Sequence, residues 1–417
     1  MMRLSDTWEG HASSCPQRIA VYLCCQTTRL IVLCLLVICS NLAVARPTRK
    51  PETTHLPLWI NLNWSSSYDD NVFRYSERDL NRWQNDTERY PNPNSTWDDW
   101  RNDLGITLTL PWKHPHGGTR SVVSVWETRF EASAKTALYA VNHRKNYQRY
   151  SAAVRQSFGK EFWAEGSFAI VPTFYLREYR DVDLGEYTEC DYESRTYNLT
   201  LRYKSPWQTY FYPELEFKTL YYNRHFTEFD AEWTTLGLTA EQVFGGTRSV
   251  VSQSSRWLLR GSYRFTNGDN VGGGGLTAAS QVTPGEDTEY GDGSFEEHEV
   301  NLSASYRPLF LPGFKRSVTW QWQFSLNGGM RIRDYTTNNS LADDPFHAGR
   351  RDIRWELEPK VTVDILRNLS LYGSYIYEQR DTQSDIGYVN EIKDFVRRAY
   401  TIGLEFQLRP PAQRLRR

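Results

Sequence analysis

Residues 400 to 408 read YTIGLEFQL, and this stretch decides the fold. Tyr400, Ile402, Leu404, Phe406 and Leu408 fall on one face of an extended chain, and Thr, Gly, Glu and Gln fall on the other. Alternation with a period of two is typical of a β-strand whose two faces meet different surroundings. The segment therefore predicts a strand near the C-terminus with one apolar and one polar face.

The same alternation recurs along the chain from residue 57 onward, and no sustained helical periodicity interrupts it. Late in the chain, Val318, Trp320 and Trp322 alternate with Thr and Gln, so the second face is polar there too. An even number of strands is what an antiparallel barrel with both ends on one side requires. We predict fourteen strands, at 57–75, 97–112, 120–136, 146–158, 161–179, 191–204, 208–226, 231–244, 248–266, 295–307, 316–334, 350–366, 368–381 and 395–409.

The connections between these strands alternate in length. Long polar segments follow odd strands, at 76–96, 267–294, 335–349 and 382–394. Compact segments follow even strands, at 159–160, 205–207, 245–247 and 367, with 308–315 the longest. Bacterial membrane barrels have short periplasmic turns and long external loops, whereas a soluble sandwich has no reason to alternate them. The pattern favours an all-β, membrane-spanning, antiparallel up-and-down barrel.

Two local features bear on the barrel. The octapeptide GGTRSVVS occurs at residues 117–124 and again at 245–252, each time at a predicted turn that opens an odd strand. This repeat is consistent with hairpin duplication. Pro172, Pro213 and Pro359 lie inside predicted strands, where each removes a ladder donor, so we expect β-bulges at these positions.

Composition limits the class of protein. The mean hydropathy of -0.64 excludes a helical membrane protein, but a barrel needs apolar residues only at alternate positions of its strands. The aromatic content of 14% suits girdles at two membrane interfaces. The net charge of -1 gives no basic field, so we expect no nucleic-acid partner.

The N-terminal segment has the features of a signal peptide. An apolar run from Leu30 to Cys39 follows Arg29, and Ala43 to Ala45 supply small residues for cleavage after Ala45. Beyond this segment Cys190 is the only cysteine, which excludes an intrachain disulfide framework in the exported protein. We predict a leader at 1–45, a periplasmic linker at 46–56, the barrel at 57–409 and a basic tail at 410–417.

Two stretches resemble known outer-membrane proteins. Thr401, Gly403, Phe406 and Leu408 match the pattern of the C-terminal signal by which the assembly machinery of Gram-negative bacteria recognises outer-membrane barrels, although nine residues follow Leu408 here. Residues 68–72 (YDDNV) are similar to first strands of porin-like families and of the barrel of surface lipoprotein assembly modifiers. The helical repeat domain that precedes the barrel in those modifiers has no counterpart between residues 46 and 57. The resemblance implies an outer-membrane location, with lipid, lipopolysaccharide and the barrel assembly machinery as partners.

Charged residues on the second face of the strands are predicted to line the lumen. Two interpretations remain open: a transverse field across a solute path, with selectivity for anions, or local salt bridges that fill the barrel. Separately, residues 267–294 either fold inward as a constriction or stay outside the barrel. The candidates are a basic ladder of Arg256, Arg260, Arg264, Arg331 and Arg333, and the acidic residues Glu214, Glu216, Glu356 and Glu358.

The predicted extracellular rim carries four carboxylates, on Asp69, Asp70, Asp98 and Asp99. They form either a cation site or a solvated acidic edge. The histidines fall mostly in predicted turns or at strand ends and match no nucleophile, base and orienter pattern. We therefore nominate no catalytic residue, and expect neither an enzyme nor a cofactor.

The sequence as a whole predicts a porin-like channel or export conduit for polar or charged small solutes. A structural, adhesive or protein-translocating barrel is the alternative, and an outer-membrane hydrolase is a weaker one. The solute, the oligomeric state and the openness of the lumen do not follow from these patterns.

Overall fold

The computed structural model describes residues 58–83, 85, 96–114, 126–245, 255–273, 288–308, 321–366 and 368–408. Residues from 57 onward form one compact unit. The predicted leader, linker and basic tail, and most of both copies of the GGTRSVVS repeat, lie outside the described residues.

Fourteen strands form one closed barrel, in which each strand pairs with its neighbours in sequence and β1 closes on β14. The predicted fold is therefore confirmed. The strands are β1 (Trp59–Asp69), β2 (Asp99–His114), β3 (Trp126–Tyr139), β4 (Tyr147–Phe158), β5 (Phe162–Asp181), β6 (Glu186–Lys204), β7 (Thr209–Tyr222), β8 (Ala231–Phe244), β9 (Arg256–Asn270), β10 (Phe295–Arg307), β11 (Gln321–Tyr335), β12 (Arg351–Leu366), β13 (Leu369–Gln383) and β14 (Phe395–Leu408). Two short helices, α1 (Glu77–Arg82) and α2 (Gly387–Lys393), lie in the connections that follow β1 and β13.

The stretch at residues 400–408 is the strand that closes the barrel. Tyr400 lies opposite Tyr68 of β1, and Phe406 lies opposite Leu62. On its other side β14 pairs with β13, so that both ladders of the strand are occupied. Closure removes the free edges that an open sheet would expose, which is what a sheet surrounded by lipid requires.

Apolar side chains cover the outside of the barrel. Trp100, Leu236 and Leu302 are 53%, 58% and 66% exposed, and similar residues occupy the outward positions of most strands. A water-soluble protein rarely exposes so large a continuous apolar surface, whereas a membrane barrel presents it to acyl chains. Among the described residues no helix has the length and apolar character needed to cross a membrane.

Only one of the three strand prolines coincides with a bulge. The β5–β6 register shifts between Val171 and Phe174, around Pro172. The predictions for Pro213 and Pro359 are wrong, because the neighbouring ladders of β6–β7 and β12–β13 each skip two rungs and resume in the same register. A missing N–H is thus accommodated by leaving rungs unpaired rather than by inserting a residue.

The predicted alternation of connection lengths fails at the third external connection. β5 and β6 extend beyond the predicted limits and meet in a tight turn at residues 182–185, where Gly185 has a φ of +70°. β1 is shorter than predicted and ends at Asp69, since residues 70–75 leave the sheet. Both differences lie at the extracellular end of the barrel. There the strand limits depend on packing between connections, which the period-two alternation does not report.

Candidate functional site

All five arginines of the predicted basic ladder lie on inward positions of β9 and β11. On β9 they alternate with the outward residues Trp257, Leu259 and Tyr263. In the upper barrel one rung of the sheet reads Arg264, Glu299, Arg331 across β9, β10 and β11. Basic and acidic residues therefore alternate around the wall.

The upper three arginines are paired with carboxylates. Arg264 lies 3.1 Å from Glu216 and 3.4 Å from Glu214. Glu297 lies 3.3 Å from Arg331 and 2.8 Å from Arg333. These contacts correspond to the salt-bridge interpretation in this part of the wall. Sequence reasoning did not single out Glu297, although its inward position on β10 was visible in the alternation.

The lower wall is different. Arg260 is exposed to the lumen, and its guanidinium lies 5.9 Å from the centre of the Tyr212 ring. Within the described part of the chain neither Arg256 nor Arg260 makes an ion pair. Glu356 lies 3.8 Å from Arg354, and Glu358 accepts a hydrogen bond of 3.1 Å from the Asn327 amide.

A buried carboxylate ties the connection after β1 to β13, two strands away around the closed sheet. Glu378 of β13 is fully buried and receives three guanidinium groups, from Arg74 at 3.0 Å, Arg354 at 2.7 Å and Arg397 at 2.7 Å. Arg397 also lies 2.7 Å from Asp69. Arg74 follows β1 and has a positive φ of 55°, which turns the chain inward. Sequence reasoning did not single out this cluster.

The same connection reaches the other side of the barrel. The rings of Phe73 and Tyr75 stack with centroids 5.1 Å apart and pack against Tyr175 of β5. Arg177 of β5 donates a hydrogen bond of 2.7 Å to the Phe73 carbonyl. β13 and β5 are separated by six steps around the closed sheet, close to the maximum of seven for fourteen strands. Residues 70–83 therefore bridge nearly opposite walls of the upper lumen.

The connection after β9 also packs inward where it is described. Tyr290 is 1% exposed and lies among Tyr179, Phe226 and Phe229. Of the two arrangements left open for residues 267–294, residues 288–294 adopt the inward one. Residues 274–287 lie outside the described residues.

Glu289 joins this connection to α2. Its carboxylate lies 2.9 Å from the Lys393 ammonium and accepts a hydrogen bond of 3.2 Å from the Tyr179 hydroxyl. Lys393 also donates a hydrogen bond of 2.7 Å to the Thr288 carbonyl. Burial raises the pKa of Glu289, but the opposing charges of Lys393 and His347 outweigh it and hold the pKa well below its usual value.

His347, in the connection after β11, completes the cluster. The ring is 1% exposed, with Nδ1 2.9 Å from the Asp344 carboxylate and Nε2 4.0 Å from Glu289. Burial lowers the pKa of His347, and the hydrogen bonds to Asp344 and Glu289 outweigh it and raise the pKa above 6.5. Through these contacts His347 joins the connection after β11 to the connection after β9.

A more exposed contact joins the two short helices, where Arg78 of α1 lies 2.9 Å from Glu391 of α2. We call the inward-packed segments 70–83, 288–294, 336–350 and 384–394 the extracellular cap. Three buried clusters of side chains hold the cap to the wall and its segments to one another.

The four rim carboxylates do not converge on one point. Each has its own protein partner, and no group of three or more His, Cys, Asp or Glu among the described residues is placed to hold a metal ion. The partners are Arg397 for Asp69, Arg398 for Asp70, the Tyr68 hydroxyl for Asp98, and the Val141 and Asn142 backbone N–H groups for Asp99.

The residues of the C-terminal pattern have structural roles in β14. Gly403 faces the lumen directly beneath the Tyr372 ring, and a Cβ at Gly403 would lie 2.3 Å from that ring. The Thr401 hydroxyl hydrogen-bonds to Ser67 of β1 at 2.8 Å, across the seam of the barrel. Phe406 pairs with Leu62 and Leu369 on the outer face.

Comparison with known proteins gives only remote similarities. No family model matches the chain, and no curated protein matches it. Among solved structures, a bacterial polysaccharide outer membrane secretin covers 84% of this chain and 98% of its own, with 10% identity and a TM-score of 0.39. An anion-selective porin from Comamonas acidovorans covers 84% and 98%, with 7% identity and a TM-score of 0.35. The outer membrane protein opdK from Pseudomonas aeruginosa covers 84% and 99%, with 9% identity and a TM-score of 0.33.

No property of these proteins is transferred to this chain at such low similarity. The chain's own features are a closed sheet, an apolar outer belt and a charged lumen. An apolar belt of this kind is what a membrane-spanning barrel presents to lipid. The chain is a closed fourteen-strand antiparallel β-barrel with an apolar exterior and a charged lumen.

Proposed function

We propose that this barrel is a channel through which polar or charged small solutes are imported or exported, and that the extracellular cap restricts its outer mouth. The observation that carries the proposal is the wide, charged lumen. Fourteen strands about 4.8 Å apart and tilted near 40° enclose a cylinder with a backbone radius of about 14 Å. Side chains alone do not fill a cylinder of this width unless they are long and meet at its centre.

The distribution of charge supports weak rather than strong selectivity. In the upper wall Arg264, Arg331 and Arg333 are neutralised by glutamates, so a continuous basic ladder for anions has little support there. Lower down, Arg260 on β9 and Glu356 on β12 are both exposed to the lumen. A solute would therefore meet donors and acceptors of both signs.

A closed structural or adhesive barrel is the competing function, and the cap is the observation that favours it. Ion pairs of the buried Glu378 with Arg74 and of the buried Lys393 with Glu289 hold the connections over the outer mouth. In this alternative the function belongs to the exposed surface of the connections, and the lumen carries no solute.

Single-channel recording separates the two functions. Refolded full-length protein, without the leader, is placed in planar bilayers in 1 M KCl, and swelling of liposomes with sugars of increasing size is measured in parallel. A channel gives discrete current steps and a size limit in the swelling rates. The folded state of the protein is checked by its gel mobility. If folded protein gives neither current steps nor liposome swelling, the channel proposal is wrong and the closed barrel remains.

A further inference from the structure

A recess in the lumen wall between β9 and β12 has the properties of a small-molecule site. Its volume is about 300 Å³, and inward-facing residues of all four strands line it. This volume is at the lower end of the range typical of ligand sites, about 300 to 1,000 Å³. We call this recess the wall niche; its polar lining residues include Arg260, Ser262, Asn301, Ser303, Asn327 and Glu358.

The niche exists because two consecutive residues of β11 are glycines and carry no side chains. Gly328 and Gly329 are consecutive, so one faces the membrane and the other faces the lumen. A Cβ on Gly329 would lie 2.6 Å from Oδ1 of Asn301, whereas a Cβ on Gly328 would meet no atom closer than 4.0 Å. The lumen-facing glycine therefore leaves room for the Asn301 amide at the floor of the niche.

Short polar side chains form a connected floor. The Ser303 hydroxyl donates to Oδ1 of Asn327 at 2.6 Å, and the Asn327 amide donates to Glu358 at 3.1 Å. A carboxylate can accept several hydrogen bonds, and Glu358 accepts one from Asn327 while Glu356 has one distant ion pair with Arg354, so both keep acceptor capacity toward the lumen. Arg260, on the opposite border, offers donors and makes no ion pair within the described part of the chain.

We propose that the wall niche binds a neutral polyhydroxylated solute of about one or two sugar rings. This inference rests on the proposed function insofar as a solute must enter the lumen. Glu356 and Glu358 disfavour an anion, Arg260 disfavours a cation, and the polar floor disfavours an apolar molecule. Hydroxyl groups both donate and accept, so they satisfy the carboxylates on one border and the guanidinium on the other.

Binding is tested directly and apart from conduction. Refolded full-length protein in detergent is titrated with maltose, and with glucose, gluconate and glucosamine, with saturation-transfer NMR as the readout. We expect saturable binding of the neutral sugars and weaker binding of the anion and the cation. Absence of saturable binding, or gluconate binding more tightly than the neutral sugars, overturns the proposal.

Two glycines of the wall supply a matched pair of variants. Gly329→Ala crowds the Asn301 amide and is expected to weaken maltose binding about tenfold, the effect of about 1.4 kcal/mol. Gly261→Ala on β9 does not line the niche and places its methyl group 3.5 Å from the outward residue Leu302, so it should leave binding unchanged. If Gly329→Ala does not fold, Glu358→Gln, which keeps the shape and removes the charge, takes its place. Equal affinity in wild type, Gly329→Ala and Glu358→Gln contradicts the niche.

The outcome is separable from that of the channel proposal. Protein that conducts ions but binds no sugar retains the channel and refutes the niche. Protein that binds maltose saturably and loses this binding in Gly329→Ala, yet stays electrically silent, retains the niche and refutes conduction.

Discussion

Three guanidinium groups of the upper barrel converge on the carboxylate of Glu378. A fully buried carboxylate with three arginines around it balances charges that would otherwise be desolvated without a partner. Removing one member of a buried ion pair is costly because the remaining charges stay buried. Arg74 is the only one of the three that lies outside a strand, so the cap and the wall share this carboxylate.

Glu378→Gln is expected to destabilise the barrel by roughly 1.5 to 3 kcal/mol, because it removes the carboxylate that the three arginines share, while Asp69 and Glu356 still face Arg397 and Arg354. The measurement is the urea unfolding midpoint of protein refolded into liposomes. Glu391→Gln is the matched control, because it also removes one carboxylate that pairs with an arginine of residues 70–83, but from the more exposed pair with Arg78. Equal midpoints for the two variants would show that the three-arginine cluster is not stabilising.

The buried histidine predicts a pH dependence of the cap. The pKa of His347 is raised above 6.5, so its contribution is fully present below about pH 6.5 and is lost as the pH rises through the raised value. The pKa of Glu289 is lowered below 4.5, so its contribution is present above about pH 4.5 and is lost as the pH falls through the lowered value. The contributions of His347 and Glu289 to the stability of the cap are therefore both present between about pH 4.5 and 6.5.

Protease cleavage of the connections, measured from pH 4 to 9, checks this dependence. Burial and the charges of Arg177 and Arg74 lower the pKa of Lys145 to about 7, so this residue acts in the opposite direction and gains stability as the pH rises above 7. His347→Gln is therefore compared with wild type at each pH. The difference between them should be largest at mildly acidic pH, and a difference that does not vary with pH would contradict the role of His347.

At the scale of elements, β14 combines closure with an unusually close internal contact. Its Gly403 lies beneath a ring of the neighbouring strand, and its Thr401 crosses the seam to β1. The pattern resembling an assembly signal is thus also a set of packing requirements. These two roles make different predictions for the same substitution.

Gly403→Ala should destabilise the barrel by roughly 1 to 3 kcal/mol, because the new methyl group overlaps the Tyr372 ring. Urea unfolding in vitro measures this change. Replacing Tyr372 with Ala in the same protein should relieve the overlap, so the double variant recovers most of the loss. If assembly in cells is still impaired in a double variant that is stable in vitro, Gly403 is read by the assembly machinery as well.

Strands were predictable from the sequence because their signal is local. Alternation fixes both the existence of β14 and the face on which Ile402 lies, whatever its neighbours are. The ends of strands were less predictable, since β1 stops at Asp69 where Phe73 and Tyr75 find partners on distant strands. The effect of Pro213 and Pro359 depended on whether the neighbouring strand pair shifts its register or leaves two residue pairs unbonded. The alternation of apolar and polar residues does not indicate which of these occurs.

The candidate site was predictable only in part, for a related reason. Alternation predicts inward positions, and Arg264 and Arg331 both face the lumen side of the sheet, where they meet glutamates. Which carboxylate each one meets depends on the register of several strands and on connections that fold inward. Arg74 and Glu378 are far apart in sequence, and only closure brings them together.

At the scale of the whole molecule, the division into a lipid face and a lumen face predicts opposite tolerance to charge. Leu302→Arg, at an outward position near the middle of β10, should destabilise the protein by about 2 to 4 kcal/mol. Ser305→Arg, on the lumen face of the same strand, should cost much less because the side chain stays in water. Unfolding in liposomes compares the two, and equal costs would contradict the assigned orientation.

The order of the chain gives the cap a further consequence. Arg74 follows β1 and is synthesised early, while its partner Glu378, and Arg354 and Arg397 that share this carboxylate, belong to the last three strands. The contact between Arg74 and Glu378 consequently cannot form until the final hairpin has joined β1, whereas the contacts of Phe73 with Tyr175 and Arg177 need only β5. In a partly assembled sheet this connection is therefore anchored on one side only, and closure of the barrel supplies the second anchor.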